Sequence, residues 1–302
     1  MRVIRHSRAP VSRNRNLPAR MGWDVAMASS ALLFPGQGSH ADGMDQAHRD
    51  HPLFVRGLEL LGHDPFERLA EGTRFQQPAL FLCSIAAWEQ WRAEDGEAEG
   101  APVAAAGHSL GEYAALVAAG ALTFEDAVAL VDERAAAMAE AAELAPGGML
   151  ALLGGDPGAV RALAARLTLT VANDNAPGQV VLSGAVADVE QAEELARDET
   201  GARARRLDVG GAFHSPLMQP AAARLSAALA STPVHEPAIP VFANGTAAPF
   251  ADVRRELAEN LLRPVRWRET LLALRAAGVE RFVELGPGSV LTGLVKRTLA
   301  AA

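Results

Sequence analysis

The stretch Gly107-His108-Ser109-Leu110-Gly111 constrains this chain more than any other. It follows the apolar run Pro102 to Ala106 and opens into Glu112-Tyr113-Ala114-Ala115-Leu116-Val117-Ala118-Ala119. A small-residue strand, a sharp turn centred on serine and an alanine-rich helix describe a nucleophile elbow. Such a turn holds Ser109 in a tight backbone conformation, and Gly107 and Gly111 leave room where a side chain would collide with strand or helix. The hydroxyl is pushed outward to where a substrate can reach it. Because Ser109 also opens the helix, the free backbone N–H of Leu110 points to where an oxyanion forms during acyl transfer. A helix N-cap serine behind a turn glycine has the same pattern, so the motif alone leaves catalysis and capping both open.

The 302 residues can bury a sizeable core, as one large domain or a large domain carrying a small insertion. Hydrophobic residues make up 49% of the chain, yet no uninterrupted apolar segment approaches the roughly 20 residues needed to cross a bilayer, which argues against membrane spanning. A net charge of -8 argues against a nucleic-acid partner, which demands an excess of Lys and Arg on some face. Cys83 is the one cysteine, so no intrachain disulfide and no thiolate metal cluster can form, and its apolar surroundings read as a buried helix. Residues 1–26 carry Arg2, Arg5, Arg8, Arg13, Arg15 and Arg20 without apolar periodicity and are expected to be a disordered N-terminal extension. They lack the apolar core of a secretory signal; an organellar transit peptide and an extension upstream of a start at Met27 both fit. The expected location is cytoplasmic.

From Leu32 the chain reads as a strand, a loop over Gly36 to Ser39, an imperfect helix over Met44 to Leu61 and a short helix from Asp64-Pro65 through Leu69. Arg74 to Pro78 reads as a breaker, Ala79 to Arg92 as an apolar helix beneath the elbow, and Glu94 to Glu99 as a surface loop. Thr123, with Asp126 three residues on, caps a helix to about Leu144 that carries Arg134. After Pro146-Gly147-Gly148 the grain changes. Met149 to Gly154, Leu169 to Ala172, Gln179 to Gly184 and Ala204 to Val209 read as strands, with helices over Pro157 to Leu167 and Val186 to Thr200. That β-α-β-β-α-β order is a ferredoxin-like signature. The larger alternation resumes with a helix over Met218 to Ala230 and a strand over Ile239 to Phe242. Helices over Asp252 to Leu262 and Trp267 to Ala277, a strand over Arg281 to Leu285 and a helix over Val290 to Ala301 close the chain.

The apolar run Leu32-Leu33-Phe34-Pro35 enters Gly36-Gln37-Gly38-Ser39-His40, and this stretch with the elbow resembles the malonyl-CoA:acyl carrier protein transacylases. In that family the first strand ends in a GQGS loop and the serine lies in a GHSxG elbow. The resemblance extends over roughly Leu32 to Ala301. It implies an α/β fold, with an α/β-hydrolase-like large domain on a parallel central sheet over residues 27–146 and 212–302, and an inserted ferredoxin-like subdomain over 147–211.

The resemblance also implies roles for particular residues. A serine hydroxyl needs a base, and His214, in Ala212-Phe213-His214-Ser215-Pro216, falls where the family's catalytic histidine lies. A backbone carbonyl of the segment Asn260 to Trp267, assigned to Asn260, is expected to orient that ring, with Asp208 as a rival. Some bacterial members carry glutamine where this chain has Asn260. Arg134 matches the family's carboxylate-binding arginine, and a guanidinium there can pair bidentately with a malonyl carboxylate; a helix surface pair with Asp132, Glu133 or Glu140 is the plain alternative. Gln37 is expected to complete the oxyanion hole with Leu110 through its backbone N–H. Asn173 and Asn175 match a segment bordering the acyl pocket and are expected to bind substrate, although a turn alone explains them. His108 is expected to be structural.

The implied activity is transfer of malonyl from malonyl-CoA to the phosphopantetheine thiol of acyl carrier protein, by a ping-pong route through malonyl-Ser109, in fatty-acid or polyketide synthesis. No cofactor and no metal is expected, and CoA thioester is a substrate. The expected partners are malonyl-CoA and acyl carrier protein, with the protein a monomer. An acyl-thioester hydrolase using the same Ser-His pair is the alternative, and a noncatalytic carrier-docking subunit is a further one.

Overall fold

Two sheets with different grain carry the chain, and each follows from the local pattern of its strands. A computed structural model describes residues 2–5, 29–94 and 100–302. The larger sheet contains β1 (Arg2–Arg5), β2 (Ser30–Phe34), β3 (Ala104–Gly107), β8 (Val241–Ala243), β9 (Ala248–Pro249) and β10 (Arg281–Glu284), in the order β1-β10-β2-β3-β8-β9. The four central strands are parallel, and the two edge strands run antiparallel, so the sheet is mixed.

Strand β2 shows why the sheet is a middle layer. All five of its residues are buried, and they alternate between faces: Leu32 and Phe34 join one apolar cluster, Ala31 and Leu33 the other. A strand buried on both faces needs helices on both sides. One side is covered by α2 (Thr73–Glu94), α3 (Gly111–Ala118), α4 (Phe124–Leu144) and α7 (Gln219–Ser231), and the other by α9 (Trp267–Ala276) and α10 (Val290–Ala300). Two further helices, α1 (Pro52–Leu61) and α8 (Val253–Glu259), pack at the flanks.

The second sheet contains β4 (Gly147–Gly154), β5 (Thr170–Ala176), β6 (Gln179–Ala185) and β7 (Ala202–Arg206), in the order β5-β6-β4-β7 with every pair antiparallel. Helices α5 (Pro157–Arg166) and α6 (Val186–Thr200) pack on it through Val160, Leu163, Val189 and Ala192. The two sheets meet at Val265: its N–H donates to Ala172 O at 2.8 Å and its carbonyl accepts from Asp174 N at 3.0 Å.

Several sequence expectations need correction. Within the arm expected to be disordered, Arg2–Arg5 pair antiparallel with Arg281–Glu284, because the backbone of β10 offers an open edge that needs no side-chain periodicity. The rest of that arm lies outside the described residues, as does the expected surface loop after Glu94. The helix expected over Met44 to Leu61 forms only from Pro52, where a proline sets its first turn; residues 42–50 are successive turns. The expected breaker at Arg74 to Pro78 is instead the start of α2, which begins at Thr73 and runs through Pro78. A proline in the second turn forfeits one backbone hydrogen bond, and the burial of Phe75 and of every residue from Gln77 to Ala86 outweighs it. Strand β7 ends at Arg206 rather than Val209, and β5 extends through Asn173 and Asn175, with register shifts on either side of Asn173-Asp174.

Candidate active site

Parallel strands send their C-terminal ends to one edge of a sheet, where open α/β folds place their sites. Phe34 pairs with Gly107 in register, so the Gly36 loop after β2 and the elbow after β3 leave the sheet side by side, and His108 N donates to Phe34 O at 2.9 Å. Asn244 follows β8 at the same edge.

The elbow is as tight as its glycines demand. A Cβ at Gly107 would lie 1.8 Å from the carbonyl carbon of Gly111, and a Cβ at Gly111 would lie 2.1 Å from Phe34 O. Ser109 has φ 51°, a left-handed conformation costly for a residue with a side chain. His214 is held likewise at φ 57°, just ahead of the short turn Pro216–Met218 that leads into α7.

These two residues meet. Ser109 Oγ lies 2.8 Å from His214 Nε2, and His214 Nδ1 lies 2.8 Å from Asn260 O and 3.1 Å from Arg263 O. Carbonyl oxygens only accept, so Nδ1 carries the proton and the Nε2 lone pair faces the serine hydroxyl. Burial, then the positive charge of Arg134, pushes the imidazole down to about 3, so the ring is neutral around physiological pH. Asp208, the rival orienter, stays exposed at the mouth of the cavity, and the ring nitrogen is held by the two carbonyls.

Arg134 projects from α4 into the same point. Its Nη2 donates to Ser109 Oγ at 2.9 Å, its Nη1 donates to Gln77 Oε1, and its guanidinium lies 5.8 Å from the Tyr113 ring centroid. It is 3% exposed, and no carboxylate among the described residues lies within ion-pair distance. The surface acids that were its alternative partners pair elsewhere: Asp132 binds Arg74, while Glu133 and Glu140 bind Arg224. A buried cation that contacts Gln77, Ser109 and the Tyr113 ring but no carboxylate is a ready anion site.

The remaining expected residues divide. Gln37 lines the cavity, and its side chain is fixed by Thr73 Oγ1, which donates to Oε1 at 3.0 Å, and by Gln76 Oε1, which accepts from Nε2 at 3.1 Å. Leu110 is buried beneath the elbow, and among the described residues neither its backbone N–H nor that of Gln37 is taken by another group. Asn173 lines the cavity; Asn175 does not, because its Oδ1 lies 2.8 Å from His108 Nε2. His108 packs edge-on against Trp267 with ring centroids 5.4 Å apart, as a structural residue would. The cavity itself holds about 410 Å³, with Ser109, His214, Gln37 and Arg205 among its walls. A larger one of about 570 Å³, between Leu152, Val160, Val180 and Pro264, contains neither Ser109 nor His214.

Sequence reasoning missed Gln77, Glu112 and Asn244. Gln77 sits inside the segment read as a breaker, and it links Arg134 to Thr73 and through it to Gln37. Glu112 looks like an ordinary first-turn acid, yet it is 3% exposed. Asn244 carried one readable signal, its place just past a predicted parallel strand. Among the described residues no group of His, Cys, Asp or Glu is arranged to hold a metal ion, and no helix is long and apolar enough to cross a membrane.

Residues 58–302 match the profile of the acyl transferase domain, and the chain is accordingly an acyltransferase. The malonyl CoA-acyl carrier protein transacylase of Bacillus subtilis (strain 168) is 41% identical over 291 residues, which cover 90% of this chain and 90% of that protein. The polyketide biosynthesis protein ThaF of Burkholderia thailandensis is 40% identical over 289 residues, covering 89% of this chain and 24% of ThaF. Among solved structures, the complex of a type II PKS acyl-carrier protein with its malonyl-transacylase matches with a TM-score of 0.84 at 35% identity, over 90% of this chain and 94% of that one. The chain belongs to the malonyl CoA-acyl carrier protein transacylase family.

Proposed function

We propose that this chain moves a malonyl group from malonyl-CoA to the phosphopantetheine thiol of acyl carrier protein, through an ester on Ser109. The observation that carries the reading is the unpaired guanidinium of Arg134, 2.9 Å from a serine oxygen that itself lies 2.8 Å from a neutral histidine. Arg134 takes the free malonyl carboxylate, and the thioester carbonyl then lies over Ser109 Oγ.

Ser109 Oγ attacks that carbonyl while its proton passes to His214 Nε2, and Asn260 O and Arg263 O support the imidazolium through Nδ1. The backbone N–H groups of Gln37 and Leu110 receive the oxyanion. Collapse breaks the C–S bond, and the CoA sulfur leaves with the proton from Nε2. The carrier thiol then gives its proton to His214 and attacks the malonyl ester, and Ser109 recovers its proton as the new thioester departs. Bound carboxylate also offsets the Arg134 charge that holds His214 down, so a correctly seated substrate strengthens the base that attacks it. Asn173 borders the acyl group; Asn175 acts only through His108.

The same reading takes residues 27–146 and 212–302 as an α/β-hydrolase-like catalytic domain and 147–211 as an inserted ferredoxin-like subdomain. The protein is taken as a monomer in this reading, and the steps draw on no cofactor beyond the thioesters themselves. A cytoplasmic site of action, in fatty-acid or polyketide synthesis, belongs to this reading.

Intact-mass measurement after brief exposure to malonyl-CoA or acetyl-CoA, followed by carrier bearing its thiol arm, tests it. Wild type should gain a malonyl adduct that the carrier discharges faster than water does, and Ser109→Ala should gain none. Equal loading by acetyl-CoA, or clearance by water ahead of the carrier, would replace the transferase with a hydrolase of broader acyl range.

A further inference from the structure

We propose that Glu112 is a positioning residue whose single buried carboxyl group sets both members of the Ser109–His214 pair, an inference that rests on the acyl-transfer reading above. Two segments distant in sequence converge on it. Glu112 Oε1 accepts from the backbone N–H of Asn244 at 2.7 Å, and the Asn260 side-chain amide donates to Oε1 at 2.9 Å and to Oε2 at 3.2 Å. Each of these two asparagines grips one reacting side chain's support.

Asn244 clamps the strand-to-elbow turn with both ends of its side-chain amide. Its Oδ1 accepts from Ser109 N at 2.6 Å, and its Nδ2 donates to Gly107 O at 2.7 Å. The left-handed backbone of Ser109 is thereby tied at its own N–H and at the carbonyl two residues before it. Asn260 serves the base: its carbonyl receives the His214 Nδ1 proton at 2.8 Å, while its side-chain Oδ1 accepts from Gly245 N at 3.2 Å. Glu112 therefore couples the loop holding the nucleophile to the loop holding the base.

The location argues against a helix-start acid that merely complements the dipole. Such a residue gains its modest benefit while exposed to water, whereas Glu112, Asn244 and Asn260 are each 3% exposed or less. Burying a carboxyl group is costly, and an apolar side chain of similar size would serve a packed core at less cost. Each hydrogen bond found on Glu112 goes to a residue that touches Ser109, His214 or their backbone. Both strained residues, at φ 51° and 57°, hang from this network, and strain of this kind persists only where surrounding bonds over-determine it.

The test compares Glu112→Ala, Glu112→Gln and Asn260→Ala with wild type by single-turnover acylation from malonyl-CoA, normalised to the fraction of serine that loads. Glu112→Ala should lower the rate per loadable site by about 100-fold at saturating malonyl-CoA, the scale expected of a small misplacement of reacting groups, with KM little changed. Glu112→Gln, which keeps one acceptor oxygen for both asparagines, should recover most of the rate. Asn260→Ala keeps the carbonyl to His214 and loses only the tether, so it should share the loss and carries the test if Glu112→Ala does not fold. The low-field proton resonance of His214 Nδ1–H should shift or broaden in the slow variants. Rates within about threefold of wild type in Asn260→Ala or in a folded Glu112→Ala, with that resonance unmoved, overturn the proposal. If wild type itself takes no malonyl group, the acyl-transfer reading fails, and the resonance alone decides whether Glu112 positions His214.

Discussion

Arg134 and His214 address the same atom from different elements: Arg134 Nη2 lies 2.9 Å and His214 Nε2 2.8 Å from Ser109 Oγ. A fixed cation and a neutral base thus share the nucleophile. The cation steadies negative charge near the serine, and its field simultaneously weakens the base. An anionic substrate group resolves that opposition, because it satisfies the cation and relieves the base together.

Replacing the guanidinium should therefore change acyl preference more than overall reactivity. Arg134→Gln should lower kcat/KM for malonyl-CoA by about 100-fold, the order expected when a bidentate charge-assisted pair worth about 2–3 kcal/mol is lost. Acetyl-CoA, which has no carboxylate to lose, should fall far less. Parallel steady-state assays with the two thioesters read the ratio; an unchanged ratio would remove Arg134 from substrate recognition.

The same substitution should move the pH profile. His214 in the free enzyme is held down to about 3 by burial first and by Arg134 second, so the acid limb of kcat/KM should lie well below the ordinary histidine range. Without the Arg134 charge the imidazole becomes easier to protonate. The acid limb in Arg134→Gln should then shift to higher pH, and an acylation profile that stays in place would show that the charge is not felt at His214.

How much of this was readable from sequence depended on the range of the interaction. The elbow, the Thr123-capped α4 and α6 from Val186 to Thr200 are local patterns of small residues, caps and periodicity, and they fall where the letters put them. Pro78 misled because the burial of α2 around it is a tertiary effect. Arg2–Arg5 form a strand through a backbone edge, which leaves no side-chain signature. In the site, Ser109 and Leu110 follow from the elbow, whereas Glu112 takes its meaning from residues 132 and 148 positions away. Asn175 matches the same pocket-bordering segment as Asn173, and residues two apart on a regular strand share a face; the register shifts on either side of Asn173-Asp174 break that regularity, so Asn173 lines the cavity while Asn175 meets His108.

Gly107 offers a test of the elbow's geometry apart from its chemistry. An alanine there would place Cβ 1.8 Å from the Gly111 carbonyl carbon and 2.1 Å from Glu112 N, both backbone atoms with no rotamer to yield. Gly107→Ala should cost about 3 kcal/mol or more of stability and open the turn, seen as a lower Tm with loss of acylation. A variant of wild-type Tm would mean the strand and helix can part without penalty.

Stability should respond to pH in two windows with opposite sign. His214 is lowered from 6.5 to about 3 in the fold, so the unfolded chain binds the extra proton and stability falls as pH drops below about 6.5. Glu112 is raised by burial to about 8, so the folded chain holds the extra proton; its contribution is full below 4.5 and is lost as pH rises through about 8. Glu112 titrates across the interval from pH 6.5 to 8, whereas His48 and His108 are lowered and Cys83, Tyr113 and Arg224 are raised. Thermal melts across that interval should show wild-type Tm declining with pH, and Glu112→Gln, which cannot ionise, should flatten the decline. A slope that survives the substitution would place the titrating group elsewhere and return Glu112 to an ordinary carboxylate range.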